Sequence, residues 1–339
     1  MNKNILITGG LGFIGSNFIE YYLEKYQNHN IINLDKLTYA GEPSNLKRIK
    51  NNSRYKWVKG DICDKNLVNS LFDKYNFSGI IHFAAESHVD NSIDSPDQFI
   101  NTNVIGTFNL IDVARQYWMN APFEIKQGCE TNRFHHISTD EVYGALGEEG
   151  LFTEDTPYAP NSPYSASKAS SDFWVRSYFH TYGLNVVTTN CSNNYGPRQH
   201  DEKLIPTIIR KALNGEEIPI YGDGKNIRDW LYVLDHCKGI DLVFQQGEAG
   251  ETYNIGGNNE KDNLYIANKI CCILDELKPQ EKSYKDSITY VKDRPGHDFR
   301  YAIDATKIEH ELGWEAQENF DSGILKTVNW YLKKLESSQ

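Results

Sequence analysis

Short apolar runs alternate with longer segments of helical period through the first half of the chain. The apolar runs are bounded by turn residues and lie at 5–7, 31–34, 55–58, 80–83 and 134–137. Helix-like stretches separate most of these runs, at 14–26, 64–75 and 97–118. A further helix, at 163–182, and a further strand, at 186–189, follow them. This alternation predicts an α/β fold with a Rossmann-type, doubly wound parallel sheet.

The pattern changes after Asn194. Shorter elements, prolines and the glycine pairs 222/224 and 256/257 replace the long alternation. We therefore predict a dinucleotide-binding domain over 1–194 and a smaller, mixed α/β C-terminal substrate lobe over 195–339. Residues 226–258 are long enough to return a strand and a helix to the main sheet.

Composition narrows the classes of function. The chain has 339 residues and a formal charge of −11, which argues against a protein that coats nucleic acid or an anionic membrane. Six scattered cysteines lack the spacing of a metal site or a disulfide framework. No signal segment and no run of about 18 apolar residues is visible, so we expect no membrane partner and a cytoplasmic location.

A glycine-rich turn follows the first predicted strand. Gly9, Gly12 and Gly15 stand three residues apart and open a helix, a spacing that lets backbone amides approach a pyrophosphate at the positive helix end. Asp35 ends the second strand, where its carboxylate can accept hydrogen bonds from ribose hydroxyls and would repel a 2′-phosphate. NAD is therefore favoured over NADP, although the neighbouring Lys36 weakens that preference.

Asp61 ends the third predicted strand. That position allows it to reach the adenine of a bound dinucleotide. The alternative is an N-cap for the helix at 64–75, a role for which Asp64 is better placed.

Tyr164 and Lys168 stand four residues apart near the start of a predicted helix, so the phenol and the ammonium share one face. A phenol has a pKa of about 10, and we expect the nearby cation to favour its phenolate. The alternative is a surface pair, because this spacing is common. Downstream of a dinucleotide fold, the pair resembles the signature of the short-chain dehydrogenase/reductase superfamily.

Thr139, Asp140 and Glu141 follow the preceding strand. A Ser or Thr at this place helps to polarise the reacting hydroxyl in that superfamily. Two adjacent carboxylates are ordinarily an N-cap or a solvated turn. Beside Thr139 and a Tyr/Lys pair they instead suggest acid and base roles, because a shared pocket separates two carboxyl pKa values.

Longer strings extend the likeness over almost the whole chain. They lie at 35–41, 84–90, 138–144, 190–197, 202–206, 228–233, 253–257 and 293–298. On these strings the chain resembles the dTDP-glucose 4,6-dehydratases, in the extended branch of the superfamily. The resemblance implies NAD as cofactor, a nucleotide-sugar substrate, a hydro-lyase reaction, a homodimer built on the helices near 97–118 and 163–182, and deoxysugar biosynthesis such as that of dTDP-rhamnose.

The resemblance also assigns site residues. Catalytic roles fall on Thr139, Asp140, Glu141, Tyr164 and Lys168. Cofactor contacts are implied for Gly9, Gly12, Phe13, Ile14, Gly15, Asp35, Lys36, Thr38, Asp61, Ile62, Phe83, Ala84, Ala85, Ser87, Thr102, Tyr164, Lys168 and Asn194. Substrate contacts are implied for Ser87, His88, Thr139, Asp140, Glu141, Asn193, Lys203, Leu204, Pro219, Ile220, Tyr221, Arg228, Asn263, Arg294 and His297. No metal site is implied.

Physically, Arg228 and Arg294 can fork onto phosphate oxygens and Tyr221 can stack on a pyrimidine, whereas the alternative for the arginines is a structural salt bridge. Three departures from the family pattern stand out, namely Asn91, the stretch 198–201 and an apparent insertion at 119–132.

Three rival functions remain open. A nucleotide-sugar 4-epimerase shares the glycine loop and the Tyr/Lys pair but needs no carboxyl pair for elimination. A 4,6-dehydratase for another nucleotide sugar runs the same chemistry with a different base pocket. A regulator that only senses NAD needs no intact Tyr/Lys pair.

Overall fold

The computed structural model describes residues 3–293 and 298–336. In chain order, the strands of this part are β1 Lys3–Thr8, β2 His29–Asp35, β3 Tyr55–Lys59, β4 Gly79–His82, β5 Met119–Ala121, β6 Glu124–Ile125, β7 Arg133–Thr139, β8 Val186–Cys191, β9 Asn193–Tyr195, β10 Ile218–Tyr221, β11 Ile227–Tyr232, β12 Thr252–Ile255, β13 Glu260–Asp262, β14 Ile288–Val291 and β15 Arg300–Tyr301.

The α-helices of the same part are α1 Phe13–Lys25, α2 Lys65–Tyr75, α3 Val89–Asp94, α4 Pro96–Phe99, α5 Thr107–Trp118, α6 Pro163–Tyr182, α7 Leu204–Leu213, α8 Val233–Gln246, α9 Asn263–Leu277, α10 Thr306–Leu312 and α11 Phe320–Glu336. A π-helical segment, Ile100–Gly106, joins α4 to α5. Over the described residues, no helix has both the length and the apolar character needed to cross a bilayer.

The main sheet has seven strands in the order β3-β2-β1-β4-β7-β8-β12, and every neighbouring pair is parallel. Helices cover both faces and form one hydrophobic cluster on each. The strand order changes direction between β1 and β4, and a doubly wound sheet leaves a crevice at this switch point, at the carboxyl ends of its strands. The predicted Rossmann-type fold is therefore confirmed.

The later elements build a separate hydrophobic core, in which helices α7, α9 and α11 pack with strands β10 and β11. Two short sheets, β10-β14 and β13-β11-β15 with β9 paired to β11, belong to this lobe. Within the range predicted to return to the main sheet, α8 packs on α1 and β12 pairs with β8. The division of the chain at 194/195 stays a prediction.

Helix α6 has the predicted bounds, 163–182, and its ends show why. Ser162 caps the first turn in a reciprocal capping box with Ser165, and Pro163 occupies the first helical position. Gly183 ends the helix in the left-handed region at φ 73°. These end signals fix where the helix begins, so they also fix which turn presents Tyr164 and Lys168.

The apparent insertion at 119–132 contains the antiparallel pair β5 and β6. Its loop residue Phe123 is 71% exposed, and its backbone amide donates to the Tyr182 carbonyl at the end of α6. The insertion therefore lies on the surface, at the end of α6 opposite Tyr164.

Candidate active site

A cavity of about 330 Å³ opens at the carboxyl ends of β1, β4 and β7, in the crevice that the sheet order predicts. It brings together the whole predicted cofactor set. The lining includes Gly9, Gly12, Phe13, Ile14, Gly15, Asp35, Lys36, Thr38, Asp61, Ile62, Phe83, Ala84, Ala85, Ser87, Thr102, Tyr164, Lys168 and Asn194. Residues separated by more than 150 positions in sequence thus face one space.

The glycine turn leaves no room for side chains. A Cβ on Gly9, whose φ is +70°, would lie 2.6 Å from the Ala84 nitrogen, and one on Gly15 would lie 2.5 Å from the Gly9 oxygen. Gly12 is the N-cap residue of α1 and offers no side chain to its first turn, which contains no acidic residue. The first amides of α1 therefore face the cavity, which suits an anion.

Asp35 holds the loop that follows β1 as well as facing the cavity. Its carboxylate accepts hydrogen bonds from the amides of Leu11 at 2.9 Å and Leu37 at 2.8 Å. Each carboxylate oxygen still has acceptor capacity for a ribose hydroxyl.

Lys36 forms an ion pair with Asp61, with 2.7 Å between Nζ and Oδ2. Although partial burial opposes it, this contact holds the pKa of Asp61 below its ordinary value. The N-cap of α2 is Asp64, whose side chain accepts from the Leu67 amide, so Asp61 is not needed for that role. The charge of Lys36, which weakened the predicted preference for NAD, is therefore partly neutralised by Asp61.

Thr139, Asp140, Glu141, Tyr164 and Lys168 all line the same cavity. A 3₁₀ turn, Asp140–Tyr143, follows β7 directly, and the Thr139 hydroxyl caps it by accepting from the Glu141 amide at 3.3 Å. The strand end and the start of α6 therefore place the carboxyl pair opposite the phenol.

The expectation that Lys168 lowers the pKa of the Tyr164 phenol is wrong for this arrangement. Burial, followed by the Glu141 carboxylate, raises the pKa of Tyr164 well above its ordinary value. The Lys168 ammonium instead donates to the Ile137 carbonyl at 2.8 Å and meets His136 Nε2 at 3.4 Å. Burial dominates because the phenol lies in a low-dielectric setting without a cation in direct contact.

Asp140 is 2% exposed. Burial, followed by the nearby Glu141 carboxylate, raises the pKa of Asp140 well above its ordinary value. Its Oδ1 accepts from the Thr139 hydroxyl at 3.4 Å, while its buried Oδ2 has no hydrogen-bond partner. This environment favours the protonated form of Asp140, which has a proton to donate.

The predicted substrate residues divide into three groups. Ser87, Asn193 and Lys203 line the cavity together with the catalytic set, and the Lys203 ammonium donates to the Ser87 carbonyl at 3.2 Å. Those that the structure places outside the cavity lining are His88, Leu204, Pro219, Ile220, Tyr221, Arg228 and Asn263. Arg294 and His297 lie outside the described residues.

Two of the second group have clear surroundings. The side chain of Ile220 belongs to the hydrophobic core of the later lobe, so it has no free face for a ligand. Arg228 is buried behind the carboxyl pair, donates to the carbonyls of Ile227, Asp298 and Phe299, and lies 4.4 Å from the centroid of the Tyr301 ring. Among the described residues, the hydrogen bonds of the Arg228 guanidinium go to backbone carbonyls.

The departure at 198–201 ties the later lobe to α1. Arg198 adopts φ 73°, and its guanidinium donates to the Ser16 carbonyl at 3.0 Å and to the Glu20 carboxylate. Gln199 and His200 then reach the cavity. Sequence reasoning assigned no role to these residues, because nothing in the local pattern shows that the loop crosses to α1.

Other lining residues were also missed, among them Glu86, Ser138, Cys191, Ser192 and Glu202. Each stands within two positions of a predicted residue in one of the family-like strings. Their closeness in sequence to Ser87, Thr139, Asn193 or Lys203 was the available signal.

Known proteins support this reading of the geometry. A profile of the family described as GDP-mannose 4,6 dehydratase matches residues 6–327. A relative from Neisseria gonorrhoeae, named dTDP-glucose 4,6-dehydratase, is 53% identical over 97% of this chain and 96% of its own.

Two solved structures are similar throughout. That of the dTDP-glucose 4,6-dehydratase of Bacillus anthracis in complex with NAD is 46% identical and has a TM-score of 0.87, with 98% of each chain covered. That of the dTDP-glucose 4,6-dehydratase DesIV of Streptomyces venezuelae, also with NAD bound, is 43% identical and has a TM-score of 0.88, again with 98% of each chain covered.

Proposed function

The chain belongs to the dTDP-glucose 4,6-dehydratase family, and on that premise we propose that it converts dTDP-glucose to dTDP-4-keto-6-deoxyglucose and water. The observation that carries the proposal is the single cavity in which an acid/base carboxyl pair and a Tyr/Lys pair meet a glycine-rich dinucleotide turn. An epimerase needs no carboxyl pair for elimination, so this combination favours a dehydratase.

The residues around the cavity fit NAD. The glycine turn would hold the pyrophosphate against the first amides of α1, and Asp35 would hold the adenosine ribose. When bound, NAD would supply a positive charge and a carrier that takes hydride from C4 of the sugar and returns it to C6. Since hydride leaves and returns in each cycle, we expect no net change in the cofactor.

The protein's own groups carry the protons. Tyr164, hydrogen-bonded to Thr139, takes the proton of the C4 hydroxyl as its phenolate, a form that the positive charge of bound NAD would favour. The resulting ketone acidifies the C5 proton, which Glu141 removes and later gives back to C5. Asp140, whose environment favours the protonated form, donates to the departing C6 hydroxyl, which leaves as water. The proton taken at C4 balances the proton lost by Asp140.

Incubation of the purified protein with dTDP-glucose tests this function. We expect a 4-keto-6-deoxy product and no accumulation of reduced dinucleotide. UDP-, GDP- and CDP-sugars, offered separately, should react more slowly. A C4 epimer as the sole product from dTDP-glucose would refute the proposal, and faster turnover of another nucleotide sugar would refute the choice of base.

The choice of dinucleotide gives a first mutational prediction. Asp61→Asn removes the partner of Lys36, so the freed ammonium can meet a 2′-phosphate. Since half-exposed ion pairs are worth up to about 1 kcal/mol, we expect affinity for NADP relative to NAD to rise about two- to fivefold. Titrations of the two dinucleotides measure the ratio.

Asp64→Asn is the matched control, because Asn also caps a helix well and the ion pair of Lys36 is with Asp61. An unchanged ratio in Asp61→Asn would mean that Lys36 does not reach the 2′ position.

We also propose a homodimer in the cytoplasm that supplies deoxysugar biosynthesis, dTDP-rhamnose formation being one such route. All six cysteines are free thiols, which suits a reducing compartment. Exposed apolar side chains cluster on α6 and the segment before α5, which supports an interface there. They are Ile100 at 55%, Ile105 at 44%, Phe173 at 58% and Trp174 at 43%.

Trp174→Glu tests the dimer. A buried charge in the interface should dissociate the protein, so sedimentation is expected to give a species of half the wild-type mass. Leu277→Glu is the control, since Leu277 is 44% exposed on α9 of the later lobe. Dissociation by both variants, or by neither, would count against an α5/α6 interface.

A further inference from the structure

A buried polar cluster lies directly behind the catalytic lysine. Asp172 stands four residues after Lys168 on α6, and both are 4% exposed. The Asp172 carboxylate accepts from the Ser138 hydroxyl at 2.8 Å and lies 3.0 Å from His136 Nε2. The same imidazole nitrogen is 3.4 Å from Lys168 Nζ. The ammonium and the carboxylate therefore share one imidazole edge.

Removing charge from water is costly, so a buried ammonium needs a compensating anion. His136 supplies none, because burial lowers its pKa well below the ordinary value and keeps it neutral. Other titratable groups that face the cluster are His82, whose pKa burial lowers, and Tyr143, Tyr158 and Cys191, whose pKa burial raises. They are neutral at physiological pH, which leaves Asp172 as the anion of the cluster.

We propose that Asp172 is a positioning residue that keeps Lys168 protonated and in place for the reaction at Tyr164. This inference rests on the proposed function. No step of the chemistry assigned above uses Asp172, yet its charge favours the protonated form of Lys168, which does take part.

The directions of the pKa shifts agree with this role. Burial lowers the pKa of Lys168 to about 8, and the Asp172 charge opposes that fall. Burial raises the pKa of Asp172 to about 6, while Lys168, Ser138 and Tyr158 act against the rise. The two groups are therefore both charged between about pH 6 and about pH 8, and turnover should be highest in that window.

Asp172→Asn is the test. Without the anion, the pKa of Lys168 falls further, so the ammonium is lost at lower pH. We expect the alkaline limb of the kcat profile to move down by about one pH unit or more, which lowers turnover near pH 8 by about fivefold or more relative to wild type. The loss near pH 6 should be much smaller, and Asp172→Glu should restore the limb.

A second readout does not need activity. Acetic anhydride labels only neutral amines, so labelling of Lys168 across pH, measured by peptide mass spectrometry on the full chain as purified, reports its protonation. The midpoint should fall in Asp172→Asn. Asp112→Asn is the matched control, because Asp112 is a buried carboxylate on α5 that pairs with Lys65 and Arg115. It should leave both the midpoint and the kcat limb unchanged.

The outcomes separate the two proposals. An equal loss of turnover at every pH, or an unmoved labelling midpoint, would overturn the role of Asp172. If wild type failed to dehydrate dTDP-glucose, the proposed function would fall, and the labelling midpoint would still test the Asp172–Lys168 coupling.

Should Asp172→Asn not fold, Ser138→Ala removes a bond that favours the charged carboxylate, so the acid limb and the lower end of the window should rise. An unmoved acid limb in Ser138→Ala would then overturn the proposal.

Discussion

Replacing Glu141 with Gln is expected to lower turnover of dTDP-glucose by about 10²–10⁴-fold, the usual contribution of a general base. Gln keeps the size of the side chain but cannot take a proton from C5. The backbone amide of Glu141, which Thr139 caps, is unaffected, so the turn should keep its shape. NAD retention should also be unchanged, because the glycine turn and Asp35 are intact.

Proton exchange at C5 makes this test specific. Supplied with dTDP-4-keto-6-deoxyglucose in D₂O, wild type should exchange the C5 proton, and Glu141→Gln should not. Glu149→Gln, an exposed site outside the cavity lining, is the matched control and should behave as wild type. Undiminished C5 exchange in Glu141→Gln would remove Glu141 from its role.

Tyr164→Phe is expected to lower turnover of dTDP-glucose by a similar factor, about 10²–10⁴-fold, for a different reason. The ring still fills its place near Phe99, but no phenol oxygen remains to take the C4 proton. The ketone does not form, so the later steps never begin. The product, which already contains the ketone, bypasses this block.

The two variants therefore separate on one assay. With the 4-keto product in D₂O, Tyr164→Phe should still exchange the C5 proton, whereas Glu141→Gln should not. Tyr178→Phe is the control on the same helix, because its buried hydroxyl donates to Asp112 rather than to the site. It should cost about 1 kcal/mol of stability and leave turnover near wild type. Loss of C5 exchange in Tyr164→Phe would show that its phenol does more than act at C4.

Local patterns predicted much of this molecule because they report burial and chain direction. The bounds of α6 follow from Pro163 and Gly183, and the strand ends follow from the apolar runs. Since parallel strands place their carboxyl ends at one edge, the residues after β1, β4 and β7 had to meet there. The π-helical segment at 100–106 was missed, because its departure from helical geometry leaves no mark on the pattern of apolar positions.

Sequence reasoning did not predict the electrostatics of the Tyr/Lys pair. Tyr164 and Lys168 share a helix face as predicted, but the ammonium turns to Ile137 and His136, and burial sets the pKa of the phenol. Ile220 lies in the core of the later lobe and Arg228 lies outside the cavity lining, so their predicted substrate contacts stay predictions.

The sequence by itself determined the parallel sheet, the glycine turn, and the presence of a Tyr/Lys pair and a carboxyl pair at strand and helix ends. Spacing along one element is enough for each of these. Only the tertiary structure decided that Asp61 neutralises Lys36, that Arg198 ties its loop to Glu20, and that Asp172 lies behind Lys168 with His136. Most of these contacts join residues on different elements. All depend on side-chain direction and on burial, neither of which a local sequence pattern records. Burial matters because it sets the strength of a charge interaction.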